Sequence, residues 1–217
     1  MLGLAAVCLC VSLLAGCNES KFHSTDISGG LPSLAFTMTR AADGKEVTQA
    51  DYRGRLVMLY FGYTFCPDIC PTTLINVRDV LRNLGPDANH VRVLFVSVDP
   101  NRDTLPILAD YVKNFGSHIE GLRATPDELA RLARRYRFVY SVEPKTKDHP
   151  YEVTHSSTIY VFDGTGAARL LVSSLATAKP DIQGTTADLR RLARAIGGHG
   201  LEAPVNCRLR RAPETWR

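Results

Sequence analysis

Two cysteines, Cys66 and Cys70, are separated by three residues, and each is followed by a proline. Residues before proline avoid the right-handed helical region, so the segment between the cysteines is predicted to be extended or turn-like. Pro71 is a favourable first residue for a following helix, which would place Cys70 near the helix N-cap. Thiols in that position have a lowered pKa, because they face unpaired backbone N–H groups and the positive end of the helix dipole. Thiolate binds metals and attacks disulfides, so the pair predicts one of these two chemistries.

The spacing of the pair separates the two chemistries only in part. Dithiol oxidoreductases of the thioredoxin kind use Cys-x-x-Cys, whereas the wider loop in this chain can either close a disulfide or place two sulfurs around an ion. Two thiolates under-coordinate most metals, so a third ligand is expected elsewhere. His155, immediately before a predicted strand, is a candidate, with His149 in reserve, although a histidine at a strand start is more often structural. Two sulfurs and one imidazole suit Cu(I) better than zinc, because structural zinc sites prefer four protein ligands.

The elements that must position these residues alternate between strand and helix patterns. Leu56–Gly62 is short and almost wholly apolar, which predicts a strand covered on both faces. The further predicted elements are a helix from Pro71 to Gly85, a strand over 91–98, a helix around Tyr111, a helix from the Thr125 capping box, an antiparallel hairpin over 157–173 and a helix from near Thr185. This order predicts an α/β fold with parallel crossovers and an antiparallel edge.

Composition and patterning favour one globular domain. The 217 residues are 45% hydrophobic and 22% charged, and apolar patterning is continuous over residues 31–198. Residues 18–30 are polar and are predicted to be a flexible tether, whereas residues 199–217 form a basic tail that contains Cys207. The net charge of +4 is mild and the arginines are spread over predicted helix faces, so nucleic-acid binding is not expected.

The N-terminal segment has the character of a targeting signal. Residues 1–17 are apolar and uncharged up to a final Leu-Ala-Gly-Cys, which resembles a bacterial lipoprotein signal with lipid attached to Cys17. An ordinary secretory signal or an uncleaved anchor is the alternative. All three place the folded part outside the cytoplasm, where disulfides are permitted. We therefore expect a bacterial envelope protein that is membrane-anchored and faces the periplasm.

Three blocks, in this order, resemble the Sco/SenC family of copper chaperones over roughly residues 31–198. The blocks are Phe-Gly-Tyr-Thr-x-Cys-Pro-Asp-x-Cys-Pro-Thr-Thr-Leu at 61–74, Val-Ser-Val-Asp-Pro-Asn-Arg-Asp-Thr at 96–104 and His-Ser-Ser at 155–157. The turn after Asp163 and the arginine-rich tail depart from the family pattern. The resemblance implies a thioredoxin-like fold, with a central mixed sheet flanked by helices.

The resemblance also implies a set of ligands and a partner. Cys66, Cys70 and His155 would bind copper as Cu(I), with Cu(II) as a second candidate valence. Asp99 matches a family aspartate near the site, implied to support the ligands or dock a partner, and a simple turn residue is the alternative. Family members help to assemble the binuclear copper centre of cytochrome c oxidase subunit II. The apo form of that subunit is thus the implied partner, beside other periplasmic copper carriers and thiol reductants.

Two main functions remain open, beside a non-catalytic redox or copper sensor. The first is a metallochaperone that delivers copper to the apo-oxidase. The second is a thiol–disulfide oxidoreductase that uses Cys66 and Cys70 alone to keep the oxidase cysteines reduced. His155 discriminates between them, because a metal site needs it and dithiol exchange does not. The chaperone, which is not an enzyme, is the preferred hypothesis.

Overall fold

Ten strands and four α-helices occur within residues 21–197, the part of the chain that the computed structural model describes. The strands are β1 (Thr25–Asp26), β2 (Thr37–Arg40), β3 (Glu46–Thr48), β4 (Leu56–Gly62), β5 (Val91–Ser97), β6 (Ile119–Arg123), β7 (Tyr140–Glu143), β8 (Glu152–His155), β9 (Ile159–Phe162) and β10 (Ala168–Val172). The helices are α1 (Ile69–Leu84), α2 (Leu105–Lys113), α3 (Pro126–Tyr136) and α4 (Ile182–Gly197).

A mixed sheet forms the centre of the described region. Its order is β1-β10-β9-β4-β5-β6-β2-β3, and β7 pairs with β8 in a separate two-stranded sheet. Strands β4, β5 and β6 are parallel and are connected through α1 and α2, because parallel neighbours need a crossover. Strand β9 pairs antiparallel with β4 and forms the predicted hairpin with β10. The predicted α/β class, with a mixed sheet flanked by helices, is confirmed.

The core lies around β4, whose seven residues are all buried. This burial on both faces explains the unbroken apolar run in the sequence, and β5 and β9 pair with the two edges of the strand. The predicted apolar stripe of α1 is buried as well, at Leu74, Val77, Leu81 and Leu84. The carboxyl end of β4 and the start of α1 are therefore held by the most buried part of the molecule.

The start of α1 differs from the prediction. The helix begins at Ile69 with Asp68 as its N-cap residue, so Cys70 lies inside the first turn instead of at the cap. The residue before a proline only prefers to avoid helical geometry. At Cys70 that preference is outweighed, because its backbone N–H donates to Cys66 Sγ at 3.4 Å and the helix buries its apolar stripe.

Two other helix starts refine the prediction. α4 begins three residues before Thr185, because the Asp181 carboxylate accepts the Gly184 N–H at 2.8 Å and supports an earlier first turn. Thr125 caps α3 as predicted and accepts the Glu128 N–H at 3.2 Å. The other half of the predicted capping box is not formed, because the Glu128 carboxylate accepts the Thr37 N–H and pairs with Arg131.

Part of the segment predicted as a tether is folded. Thr25–Asp26 forms β1 and pairs with β10, and the N–H groups of His23 and Ser24 donate to Asp188. The flexible-tether prediction is therefore wrong for these residues, because edge pairing and a buried carboxylate satisfy their backbone groups. The signal with Cys17, and the tail with Cys207, lie outside the described residues. Over residues 21–197 no helix is long and apolar enough to cross a bilayer.

Candidate metal centre

Three side chains that can ligate a metal meet beyond the carboxyl end of β4. Cys66 lies in the loop after β4, Cys70 in the first turn of α1, and His155 is the last residue of β8. Their ligand atoms all lie within 4.8 Å of one another, although 85 residues separate Cys70 from His155. Among the described residues this is the one group of three or more histidine, cysteine or acidic side chains with a metal-binding arrangement.

The two cysteines are separate thiols with different environments. Cys70 is fully buried, whereas Cys66 keeps 8% of its surface exposed. A hydrogen bond from the Cys70 thiol, assisted by backbone N–H donors, lowers the pKa of Cys66. That same hydrogen bond, together with burial, raises the pKa of Cys70. The directions of these two shifts favour a thiolate at Cys66 over a thiolate at Cys70.

The backbone holds His155 with one ring nitrogen directed at the thiols. Its Nδ1 lies 3.0 Å from the Ser156 carbonyl oxygen and donates to it, so Nε2 is the ring nitrogen that faces the thiols, 3.3 Å from Cys70 Sγ. The Tyr63 ring packs edge-on against the imidazole, with ring centroids 5.7 Å apart. His155 does precede β9, as predicted, but it also ends β8, a strand that the sequence analysis missed.

Gly62 provides the space that Cys70 occupies. A Cβ atom on Gly62 would lie 2.8 Å from Cys70 Sγ and 2.6 Å from Cε2 of Phe95. Both distances are shorter than van der Waals contact, so a larger residue would displace the thiol or the ring. The glycine of the Phe-Gly-Tyr-Thr block is therefore required by the close approach of α1 to the end of β4.

Asp99, the candidate supporting residue, bonds to residues near the ligands, namely Tyr151 and Arg102. It is fully buried, accepts the Tyr151 hydroxyl at 2.7 Å and pairs with the Arg102 guanidinium. Its carbonyl oxygen also accepts the N–H groups of Arg102 and Asp103, so it is a turn residue as well. Asp99 is therefore a turn residue with a buried carboxylate, and its supporting or docking role stays a prediction.

Arg102 connects Asp99 to the aromatic rings around the thiols. Its guanidinium carbon lies 3.9 Å from the ring centroid of Tyr151, 4.9 Å from that of Phe65 and 5.8 Å from that of Tyr63. Cation–π contacts of this kind hold the rings in place. Tyr63 also packs on His155, so Arg102, paired with Asp99, lies against the rings of the loop before Cys66 and of one wall of the imidazole site.

Asp103 is a positioning residue that sequence reasoning missed. It is fully buried, and its carboxylate accepts the Thr64 N–H at 3.1 Å, the Thr64 hydroxyl at 2.6 Å and the Ser97 hydroxyl at 2.5 Å. These bonds tie the loop that carries Cys66 to the end of β5. Burial raises the pKa of Asp103. Its presence in the 96–104 block was the available signal, but no local pattern distinguishes a buried acid from a turn acid.

Known proteins resemble this chain over most of its described length. The SCO1/SenC family model matches residues 32–194. Protein SCO2 homolog, mitochondrial, of Bos taurus is 42% identical over 125 residues, which cover 57% of this chain and 47% of that protein. The chain spans about half the length of the curated relatives it matches.

Two solved structures of copper-bound ScoI are also similar. The Bradyrhizobium japonicum protein is 37% identical with a TM-score of 0.64, and the match covers 74% of this chain and 98% of that one. The Arabidopsis thaliana protein is 32% identical with a TM-score of 0.65, over 75% of this chain and 98% of that one. The predicted thioredoxin-like fold is confirmed by these neighbours. Because a single family model spans residues 32–194, from before Cys66 to beyond His155, the chain belongs to the SCO1/SenC family.

Proposed function

We propose that this protein binds copper through Cys66, Cys70 and His155 and delivers it to the binuclear copper centre of cytochrome c oxidase subunit II. The observation that carries the proposal is the convergence of two sulfur atoms and one imidazole nitrogen within 4.8 Å. Two relatives that are 37% and 32% identical to this chain have been solved with copper bound. Delivery to the oxidase rests on the family alone.

The donor set fits Cu(I) as the cargo. Two soft thiolates and a neutral imidazole suit Cu(I), whereas Cu(II) prefers additional nitrogen or oxygen donors. Both cysteines bind as thiolates, and the hydrogen bond to Cys66 together with burial raises the pKa of Cys70, so loading should liberate protons. His155 and Cys66 lie at the accessible side of the site, so transfer by ligand exchange would begin there.

The proposed location and partners follow from the sequence and the family. A lipid on Cys17 would anchor the protein in the bacterial envelope, facing the periplasm, near the apo form of oxidase subunit II. Other copper carriers would load the site, and thiol reductants would keep its cysteines reduced. Cys17→Ser should release the protein from membranes or block its processing. If the intact mass of the mature protein shows no acyl group at its N-terminus, lipid attachment to Cys17 is contradicted.

A thiol–disulfide oxidoreductase is the second candidate, and the lowered pKa of Cys66 favours it. The Cys66 thiolate would attack a substrate disulfide and release one substrate thiolate. Cys70 would then resolve the mixed disulfide, releasing the second thiolate and leaving a Cys66–Cys70 disulfide. This chemistry makes no use of His155.

His155→Ala separates the two functions. We expect the variant to lose stable Cu(II) binding, to bind Cu(I) about 10–100-fold more weakly and to impair oxidase maturation in cells. Its fold and its disulfide reduction should be nearly unchanged, because both cysteines and α1 remain. His149→Ala, an exposed histidine of the same segment, is the matched control and should behave as wild type.

The decisive measurement follows Cu(I) affinity, disulfide reduction and oxidase assembly on the same full-length variants. Normal assembly with His155→Ala, combined with failed assembly in Cys66→Ser, would remove the support for copper delivery. The reductase function would then take its place. Reduced wild-type protein that takes up no copper would reject the metal site itself.

A further inference from the structure

A tyrosine of the central strand lies beside the buried half of the site. Tyr60 is fully buried on β4, two residues before Gly62, so it lies on the same face of the strand as the position that touches Cys70. Its ring packs against Phe95, with centroids 5.8 Å apart, and edge-on against His155, with centroids 6.4 Å apart. Tyr60 therefore belongs to the inner wall of the metal centre.

The hydroxyl group of Tyr60 lacks a hydrogen-bond partner. Among the described residues, the Tyr60 and Thr73 hydroxyls are both buried and unpaired. Thr73 follows Cys70 by three residues on α1, so the two side chains lie on the same side of the helix. The Thr73 hydroxyl and the Cys70 thiol both lie close enough to the Tyr60 hydroxyl to interact with it, but neither contact has the geometry of a hydrogen bond. An unpaired buried hydroxyl is costly, so its retention requires an explanation.

Metal loading would create the acceptor that this hydroxyl lacks. A protonated thiol is a weak acceptor, whereas a thiolate is a strong one. Cys70 becomes a thiolate when it binds a metal, and it does so with none of its surface exposed to water. Two thiolates, one Cu(I) and one neutral imidazole leave a net negative charge in the site. Without solvent on this side, a protein donor has to stabilise that charge.

We propose that Tyr60 is a positioning residue whose hydroxyl donates a hydrogen bond to the Cys70 thiolate in the copper-loaded protein. The Thr73 hydroxyl orients the Tyr60 oxygen from the adjacent turn of α1. The inference rests on the proposed copper function and assigns a role to a residue outside the three ligands. It also explains why two hydroxyls are kept unpaired within a buried, largely apolar layer.

Tyr60→Phe tests the inference, because it removes the hydroxyl and keeps the ring. Competition of the full-length reduced protein with a colorimetric Cu(I) chelator should show binding about tenfold weaker, which corresponds to about 1.4 kcal/mol. The thiolate-to-Cu(II) charge-transfer band should move to lower energy, because a thiolate without its hydrogen bond gives up an electron more easily. The metal-free variant should unfold at the wild-type temperature or above it, since an unpaired hydroxyl has been removed.

Tyr111→Phe is the matched control. Its hydroxyl is also buried and unpaired within the described region, and its ring packs on the same Phe95, with centroids 5.5 Å apart. Tyr111 lies on α2, not on the strand that carries Gly62, and the Cys70 thiol acts on it through charge alone. We therefore expect Tyr111→Phe to leave the Cu(I) affinity and the charge-transfer band unchanged.

Each outcome decides the inference. Wild-type affinity and an unmoved band in Tyr60→Phe would overturn it while leaving the copper function intact, whereas a wild-type protein that binds no copper would reject the function itself. Equal losses of Cu(I) affinity in Tyr60→Phe and Tyr111→Phe would also overturn it. They would show that removing any buried hydroxyl near the site weakens binding. Should Tyr60→Phe fail to fold, Thr73→Val replaces it. Weaker Cu(I) binding with the same band shift would support the inference, and unchanged values would overturn it.

Discussion

The two halves of the metal centre are built on different kinds of structure. The cysteine half follows β4, in which every residue is buried, and continues into the buried stripe of α1. The histidine half ends β8, in which two of the four residues are exposed and only Val153 is buried. Within the described region, β7 and β8 pair only with each other, outside the large sheet.

This difference assigns a separate task to each half. The core determines how far apart the two sulfurs lie, and a peripheral pair of strands supplies the third ligand. Changes in the cysteine half should therefore alter copper binding and fold stability together. Changes in the histidine half should alter copper binding with little effect on stability. Four predictions test this contrast.

Oxidation of the cysteine half should have the largest effect. A Cys66–Cys70 disulfide removes both sulfur ligands at once, so verified disulfide protein should take up no Cu(I). Competition titration measures this, with mass spectrometry to show the loss of two hydrogens and re-reduced protein as the control. Undiminished uptake by the oxidised protein would contradict the assignment of both sulfurs as ligands.

Gly62→Ala should disturb the cysteine half by overpacking. The added methyl group would collide with Phe95 and with Cys70 Sγ, so we expect the free energy of unfolding to fall by about 1–3 kcal/mol, together with weaker copper binding. Denaturant unfolding and Cu(I) competition measure the two effects. Phe95→Leu in the same chain should recover part of the loss. Wild-type stability and affinity in Gly62→Ala would show that Phe95 and Cys70 can move aside without cost. The cysteine half would then be less rigidly packed than the comparison of the two halves requires.

Asp103→Asn should loosen the loop that carries Cys66. The amide cannot accept all the bonds that the carboxylate receives from Thr64 and Ser97, so the unfolding free energy should fall by about 1–2 kcal/mol. Copper affinity should fall less than in Gly62→Ala, because the thiols keep their space. A variant as stable as wild type would show that the loop carrying Cys66 does not contribute to the stability of the core. It would then argue against the assignment of this loop to the stable half of the site.

Ser156→Ala should have the smallest effect, because it alters the histidine half. It removes the hydroxyl that accepts the Val139 N–H at 3.1 Å, but the backbone bond from Ser156 N–H to the Val139 carbonyl and the acceptor for His155 Nδ1 both remain. We expect a loss of about 0.5 kcal/mol in unfolding free energy and a small loss of Cu(I) affinity. A loss as large as that in Gly62→Ala would mean that the peripheral sheet is as essential to stability as the core.

Elements with strong local patterns were predictable from the sequence. The apolar run of β4, the stripe of α1 and the hairpin of β9 and β10 each have a periodicity that burial requires. Strands β1, β2, β3, β6, β7 and β8 were not predicted, because they are short and their burial or pairing depends on partners elsewhere in the chain. The early start of α1 was missed because the bond from Cys70 N–H to Cys66 Sγ outweighs a local proline preference.

The sequence by itself determined the donor chemistry of this protein. Two proline-flanked cysteines in one short loop, next to an apolar strand and an amphipathic helix, are local features, so their spacing and thiolate character follow from neighbouring residues. Only the tertiary structure decided what surrounds them. The approach of His155 across 85 residues, the tie from Asp103 to Thr64 and the unpaired hydroxyl of Tyr60 all depend on which elements pack together. Contacts between distant elements are properties of the packed sheet and helices, and no local pattern encodes them.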